Sequence, residues 1–144
     1  MSASFLLDTN VISVPVRKVA DPTVVARLER HADRCAIPAP VWHELSYGCQ
    51  RLPPGSRRRA LEAYLRDVVR PAFPILPYDE VAATWHAAER ARLERAGKPT
   101  PYVDGQIAAI ASVAKLTLVT GNTKDFRHFR DLAVTDWSGR SRRQ

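Results

Sequence analysis

Cysteine is scarce in this chain, limited to Cys35 and Cys49. The two form no C-x-x-C pair and no histidine is spaced near either for zinc, which sets aside a disulfide framework and a thiolate metal site. Reduced core thiols in a cytoplasmic protein are the expected state. Long apolar runs are missing as well. The apolar stretch near the start is far too short to span a bilayer, so no membrane association is expected. The opening MSASFLLDTNVISVPVRK has no basic start, long apolar run or small-residue cleavage site, so no signal peptide is expected. Internal repeats and low-complexity blocks are also lacking, which argues against a solenoid.

What remains is the material of one ordinary domain. The chain has 144 residues, 45% hydrophobic and 26% charged, which suffices for a packed core and excludes disorder as the default. Its 22 Lys and Arg against 15 Asp and Glu leave a net charge of +7. Such an excess suits a polyanionic partner, with binding that weakens as salt rises. It also suits plain solubility, so composition alone does not choose.

Along the chain, apolar strands alternate with helices. Phe5-Leu6-Leu7 reads as a buried strand ending in the polar Asp8-Thr9-Asn10. Asp21-Pro22 opens a helix to about His31, with Asp as cap and Pro at the first position. Residues 35–38 read as a second strand, 40–51 as a helix and 57–70 as another that buries Leu61, Leu65, Val68 and Val69. Residues 72–76 suggest a third strand. Asp79 caps a long helix to about Ala96, where Gly97 ends it. Asp104 is expected to open the helix that runs to Lys115. A fourth strand at 116–120, a short helix from Asp125 and a last strand near 132–134 follow. Strands this uniformly apolar belong in a parallel sheet covered on both faces, so the fold class is α/β. The expected domain is 1–137, with 138–144 a basic C-terminal tail.

Three carboxylates fall where burial is costly. Asp8 ends a strand, where α/β active sites lie. Glu44 lies roughly 60° around its helix from Val41 and so flanks the apolar stripe. Asp104 points between Ala108 and Ala111. Taken singly, Asp8 also reads as a turn residue, Asp104 as a helix cap and Glu44 as a solvated side chain. Taken together, converging carboxylates repel one another unless a cation lies among them. Hard oxygen ligands suit Mg²⁺ or Mn²⁺, and the chemistry that follows is activation of water for attack on a phosphodiester. If strands 1 and 4 are neighbours, the loop Thr120-Gly-Asn122-Thr-Lys-Asp125-Phe126 joins the same site. The four histidines, His31, His43, His86 and His128, are dispersed and form no metal pair.

In order and spacing, Asp8-Thr9-Asn10-Val11-Ile12-Ser13, Glu44, Asp104-x-x-Ile107-Ala108-Ala109-x-Ala111 and Thr120-x-Asn122-x-x-Asp125-Phe126 resemble the PIN-domain ribonucleases. The likeness is greatest to the VapC and FitB-like toxins of toxin–antitoxin pairs, and it extends from Phe5 to about Trp137. It implies a three-layer α/β/α fold with about five parallel strands, Mg²⁺ or Mn²⁺ as cofactor, RNA as substrate, a cognate antitoxin and a homodimer. It assigns Asp8 and Asp104 as metal ligands and Glu44 as a further ligand or water-orienting base. Asn122 stands where many relatives carry an acid and Asp125 follows three residues later, so either could fill the fourth role. Val14 departs from the acid that FitB-like proteins often carry there.

Two other classes begin similarly. Haloacid-dehalogenase-type phosphatases need a second Asp two residues after the first, and here that position is Asn10. A receiver domain needs a strand-end acceptor Asp mid-chain, which is missing. A PIN-like module that only binds RNA or protein leaves the cost of the three acids unexplained.

Overall fold

The computed structural model describes residues 3–139. Five strands, β1 (Phe5–Leu7), β2 (Cys35–Pro38), β3 (Ile75–Leu76), β4 (Thr117–Val119) and β5 (Val134–Thr135), pair into one sheet of order β3-β2-β1-β4-β5. Every pairing is parallel, and the register sets Leu6 beside Ala36 on one side and Leu118 on the other. Leu6, Leu7, Ala36, Ile37, Leu118 and Val119 are completely buried, as expected of strands covered on both faces. The α/β class expected from the alternation, and the three layers that the resemblance implies, are thus what the chain adopts. The third and fifth strands are shorter or shifted relative to expectation, since residues 70–72 are still helical and β5 begins at Val134. The basic tail beyond Gly139 lies outside the described residues.

The strand order places a switch of direction at β1. From β1 the chain moves to β2 and β3 on one side, and later returns to β4 and β5 on the other. Loops leaving neighbouring strands there diverge, and the crevice between them is where open α/β sheets bind ligands.

A short helix not foreseen in the sequence, α1 (Thr9–Ile12), starts directly after β1 with Asp8 as its cap. Then come α2 (Pro22–His31) and α3 (Ala39–Gln50). Asp21 caps α2 by accepting from the Thr23 amide at 2.9 Å, as its Asp-Pro start predicts. The next helical run comprises α4 (Ser56–Tyr64), a π turn at Leu65–Val69 and α5 (Arg70–Ala72). The widened turn changes the facing of its residues, so Leu65 and Val69 are buried while Val68 is 49% exposed, against expectation.

Two long helices complete the layer beside β4. Asp79 caps α6 (Glu80–Arg95) through the Ala82 amide at 3.0 Å, and Gly97 leaves it with φ +72°. α7 (Tyr102–Ala114) begins two residues before Asp104, with Pro101 at its cap. Asp104 is therefore in the first turn and does not cap it, a correction to the sequence-based expectation. The Pro101 carbonyl accepts the Gly105 amide at 3.1 Å, which starts the helix without a side-chain cap. No helix among the described residues is long and apolar enough to cross a membrane.

An ion pair within α6 also ties that helix to the segment after β4, through the His128 carbonyl and the Arg130 amide. Arg92 donates to both oxygens of Glu89, at 3.0 and 2.7 Å, and also to the His128 carbonyl at 2.8 Å. Glu89 is only 7% exposed, so its charge depends on these bonds. We expect Glu89→Ala to lower stability by about 2–4 kcal/mol in urea unfolding, because it strands Arg92 and frees the loop. A decrease below about 0.5 kcal/mol, the size of an ordinary surface change, would contradict that role.

Candidate active site

Asp8 emerges from β1 with its amide still bonded to the Val119 carbonyl of β4 at 3.0 Å, so the ends of the two strands lie together. Its side chain is 8% exposed and well held. Oδ1 accepts the Thr9 amide at 2.8 Å; Oδ2 accepts the Thr120 hydroxyl at 2.8 Å and the Asn10 amide group at 3.2 Å. Thr120 is completely buried and its oxygen also accepts the Asn122 amide at 3.0 Å. Asn10 Oδ1 in turn accepts the Gly121 amide at 2.8 Å. Asp8 thus serves both as helix cap and as the anchor of the loop after β4. Burial raises its carboxyl above the ordinary 3.8, against the lowering pull of the hydrogen bonds from Thr120, Thr9 and Asn10; the charge of Glu44 raises it further.

The other acids reach the same crevice from separate elements. α3 brings Glu44, whose Oε2 accepts the Thr9 hydroxyl at 2.6 Å. Glu44 is exposed, which corrects the expectation that it is costly to bury: the position flanking the stripe opens onto the crevice, away from the core. Asp104 is half-buried in the first turn of α7, and among the described residues no hydrogen bond to its carboxylate is made. Burial first, then the charges of Asp8, Asp125 and Glu44, push its carboxyl up to about 6. That dependence places the four acids in one electrostatic neighbourhood.

The two residues after β4 differ in their placement. Asp125 is exposed and lies inside a 3₁₀ turn, Thr123–Phe126, with Asn122 preceding it as cap. Asp125 therefore does not start the turn, contrary to the expectation from sequence; its amide donates to the Asn122 carbonyl at 3.0 Å. Asn122 contributes a backbone amide to Thr120, and its exposed side chain makes no hydrogen bond among the described residues. Thr9 and Thr120 are structural partners that an acid-centred reading of the sequence passes over. The signal for Thr120 is its place at the end of an apolar strand beside a strand-end Asp.

None of the four acids is paired with a Lys or Arg among the described residues. No group of three or more His, Cys, Asp or Glu side chains among those residues is arranged to hold an ion. Fewer protein ligands suffice for Mg²⁺, which commonly takes one or two carboxylates and completes its shell with water and phosphate oxygens. The donor set fits that pattern. Asp8 Oδ1 accepts a single bond and retains a lone pair, and both oxygens of Asp104 are free of hydrogen bonds among the described residues.

The sequence model of the PIN domain matches residues 5–132. This chain belongs to the PIN-domain family. Among PIN relatives it is 36% identical over 124 residues to Toxin FitB of Neisseria gonorrhoeae, covering 84% of this chain and 89% of the relative. It is 30% identical over 135 residues to the tRNA(fMet)-specific endonuclease VapC of Shigella flexneri, covering 93% and 98%. The crystal structure of FitAcB from Neisseria gonorrhoeae superposes with a TM-score of 0.85 at 35% identity, covering 92% of this chain and 97% of that one. In this PIN domain Asn10 is committed to the Asp8–Thr120–Gly121 network, which leaves it no part as a second acid of the dehalogenase type.

The raised carboxyls have a thermodynamic consequence. Asp104 holds its proton more tightly folded than unfolded, since its folded value of about 6 lies above the ordinary 3.8. Stability from this group is therefore full below about pH 4 and is lost as pH rises toward about 6. In EDTA, Asp104→Asn should raise the melting temperature at pH 7.5 and change it little at pH 4. Asp104 is the cleaner site for this test, because an amide at position 8 would set an NH₂ against the donors that now meet Asp8. A melting temperature unaltered or lowered at pH 7.5 would refute the cost that burial and the neighbouring charges place on the ionised Asp104.

Proposed function

We propose that this PIN domain is a divalent-metal-dependent endoribonuclease, the toxin of a toxin–antitoxin pair, acting in the cytoplasm as a homodimer. The observation that carries the reading is the group of unneutralised acids, Asp8, Glu44, Asp104 and Asp125, gathered where β1 and β4 end. Their mutual repulsion has no use in a module that only binds. Kinship with a named toxin and a named RNA endonuclease supports the same choice, and a toxin requires a counterpart protein to mask it.

Asp8 and Asp104 would hold Mg²⁺ or Mn²⁺, with Glu44 as a third ligand or as the base that orients water. When bound, the ion makes a water more acidic and offsets charge on the phosphate. Thr9 holds Glu44 through its hydroxyl and keeps its second oxygen directed to the crevice. Thr120 and Asn10 keep Asp8 from turning away. Asp125 adds negative charge at the rim, and Asn122 offers an uncharged amide there. Hydrolysis then adds one water across a phosphodiester P–O bond.

Beside Glu44 and Thr9 a groove of about 800 Å³ runs between α1, α3 and α4. Arg17, Lys18, Arg51 and Arg57 line it, and none is in an ion pair among the described residues. Cations of this kind beside an acidic centre suit a phosphate backbone that must approach carboxylates. Of the arginine cluster at 57–59, Arg58 is instead structural, bonded to Glu62, Gln50 and the Leu52 carbonyl.

Asp104→Asn and Asp8→Asn should each lower Mg²⁺-dependent RNA cleavage at least a hundredfold, about 2.7 kcal/mol in the barrier, and EDTA should abolish wild-type cleavage. Folded variants that keep full activity, or wild-type cleavage persisting in EDTA, would sink the mechanism. RNA binding follows the groove. In the Asp104→Asn background, Arg51→Ala with Arg57→Ala should weaken binding and lower the salt slope by about 2, one for each phosphate no longer neutralised. An unchanged slope would place the RNA elsewhere.

A further inference from the structure

The two best-buried acids of the crevice are held in opposite ways. Asp8 accepts three hydrogen bonds, whereas Asp104 takes its position wholly from the turn of α7 that carries it. Against that turn lies a ring from α6. His86 is 3% exposed, and its imidazole lies against the backbone of Gly105, the residue next to Asp104. A Cβ on Gly105 would meet the ring, with Cδ2 at 2.6 Å, so the glycine is required by the neighbouring side chain and not by its backbone angles. The ring cannot easily give way, because Nδ1 is hydrogen-bonded to the Tyr78 hydroxyl at 2.8 Å and Tyr102 packs on it at 4.9 Å. Arg90 lies 5.4 Å over the Tyr102 ring and closes the cluster from α6.

We propose that His86 is a positioning residue for Asp104: its ring, held by Tyr78, seats the first turn of α7 through the side-chain-free face of Gly105. The inference rests on the nuclease reading of the site. An acid with no hydrogen bonds of its own moves with its helix, and a displacement of about 1 Å in such a group can cost as much as a hundredfold in rate. The pairing is reciprocal, since the ring needs the glycine and the acid needs the ring.

The test is a double-mutant cycle on the full chain, read by Mn²⁺ affinity in calorimetry, by kcat and KM on RNA, and by melting temperature. Gly105→Ala should weaken Mn²⁺ binding and lower kcat, each by about tenfold or more, with KM within about twofold. His86→Ala should itself weaken Mn²⁺ binding about threefold or more because the seat is lost, and an unchanged affinity there overturns the proposal. In that background the added methyl has the vacated space, so the double variant should bind Mn²⁺ more tightly than Gly105→Ala by at least about fivefold. A structural role alone would alter melting without this reversal in affinity. Wild-type Mn²⁺ affinity in Gly105→Ala, or no recovery in the double variant, overturns the proposal while the nuclease reading stands. A wild-type protein that neither binds Mn²⁺ nor cleaves RNA overturns both. Should Gly105→Ala fail to fold, Tyr78→Phe decides: it loosens the ring without a clash, and an affinity lowered about threefold supports the proposal, whereas an unchanged one overturns it.

Discussion

Parallel pairing of β1 with β4 sets Leu7 beside Val119, and the site is a consequence of that register. The next residue on each strand, Asp8 and Thr120, must then face one another across 112 positions of sequence, and their 2.8 Å hydrogen bond closes the junction. A slip of one residue would part Asp8 from Thr120 and set a polar strand end against an apolar neighbour, so the pairing that aligns the two strand ends also fixes the acid. Everything that follows on β4 inherits this placement. Gly121 bonds to Asn10, Asn122 bonds to Thr120, and the 3₁₀ turn with Asp125 begins from there. The direction switch at β1 separates the diverging loops and opens the crevice, into which α3 and α7 extend Glu44 and Asp104.

The result is a fold that stores repulsion at one end. Elsewhere the chain behaves as an ordinary packed domain: no buried polar side chain among the described residues lacks a partner, and the ion pair most deeply placed, Glu89 with Arg92, is doubly bonded. At the crevice Asp104 departs from that rule: it is half-buried with no hydrogen bond to its carboxylate among the described residues, and burial and the charges of Asp8, Asp125 and Glu44 all act against its ionised form. Proteins keep such local conflict where it serves a function, and the rest of the structure carries the cost. The core does so here through fully buried strands and an α7 whose inner face is a run of small and branched apolar residues, Ile107 to Ala111.

Much of this is legible in the sequence, and the parts that are not share one physical reason. Apolar runs of three or four residues mark the strands, and caps at Asp21 and Asp79 mark two helices, because these signals are local. Asp104 reads as a cap for the same reason: Asp favours that position, but Pro101 starts the helix sooner and without a side chain. Asp125 misleads likewise, because Asn122 takes the capping place. Val68 is misplaced because a π turn changes the period that the expectation assumes. The acids themselves are legible as a set, yet their burial is not, since whether Glu44 meets core or crevice depends on Thr9 and α1, an element of four residues with too little pattern to read.

The different restraint of Asp8 and Asp104 bears on how such a centre tolerates change. Hydrogen bonds hold Asp8 by direction, so a substitution there disturbs Thr9, Asn10 and Thr120 together and reaches the loop after β4. Asp104 moves instead with its helix, so the seat of α7 against α6 matters more to it than any single donor. Gly105 and His86 form that seat, in which a missing side chain on one helix is supplied by a ring from the other. An acid restrained in this way needs no donor of its own, and its oxygens stay free of hydrogen bonds among the described residues.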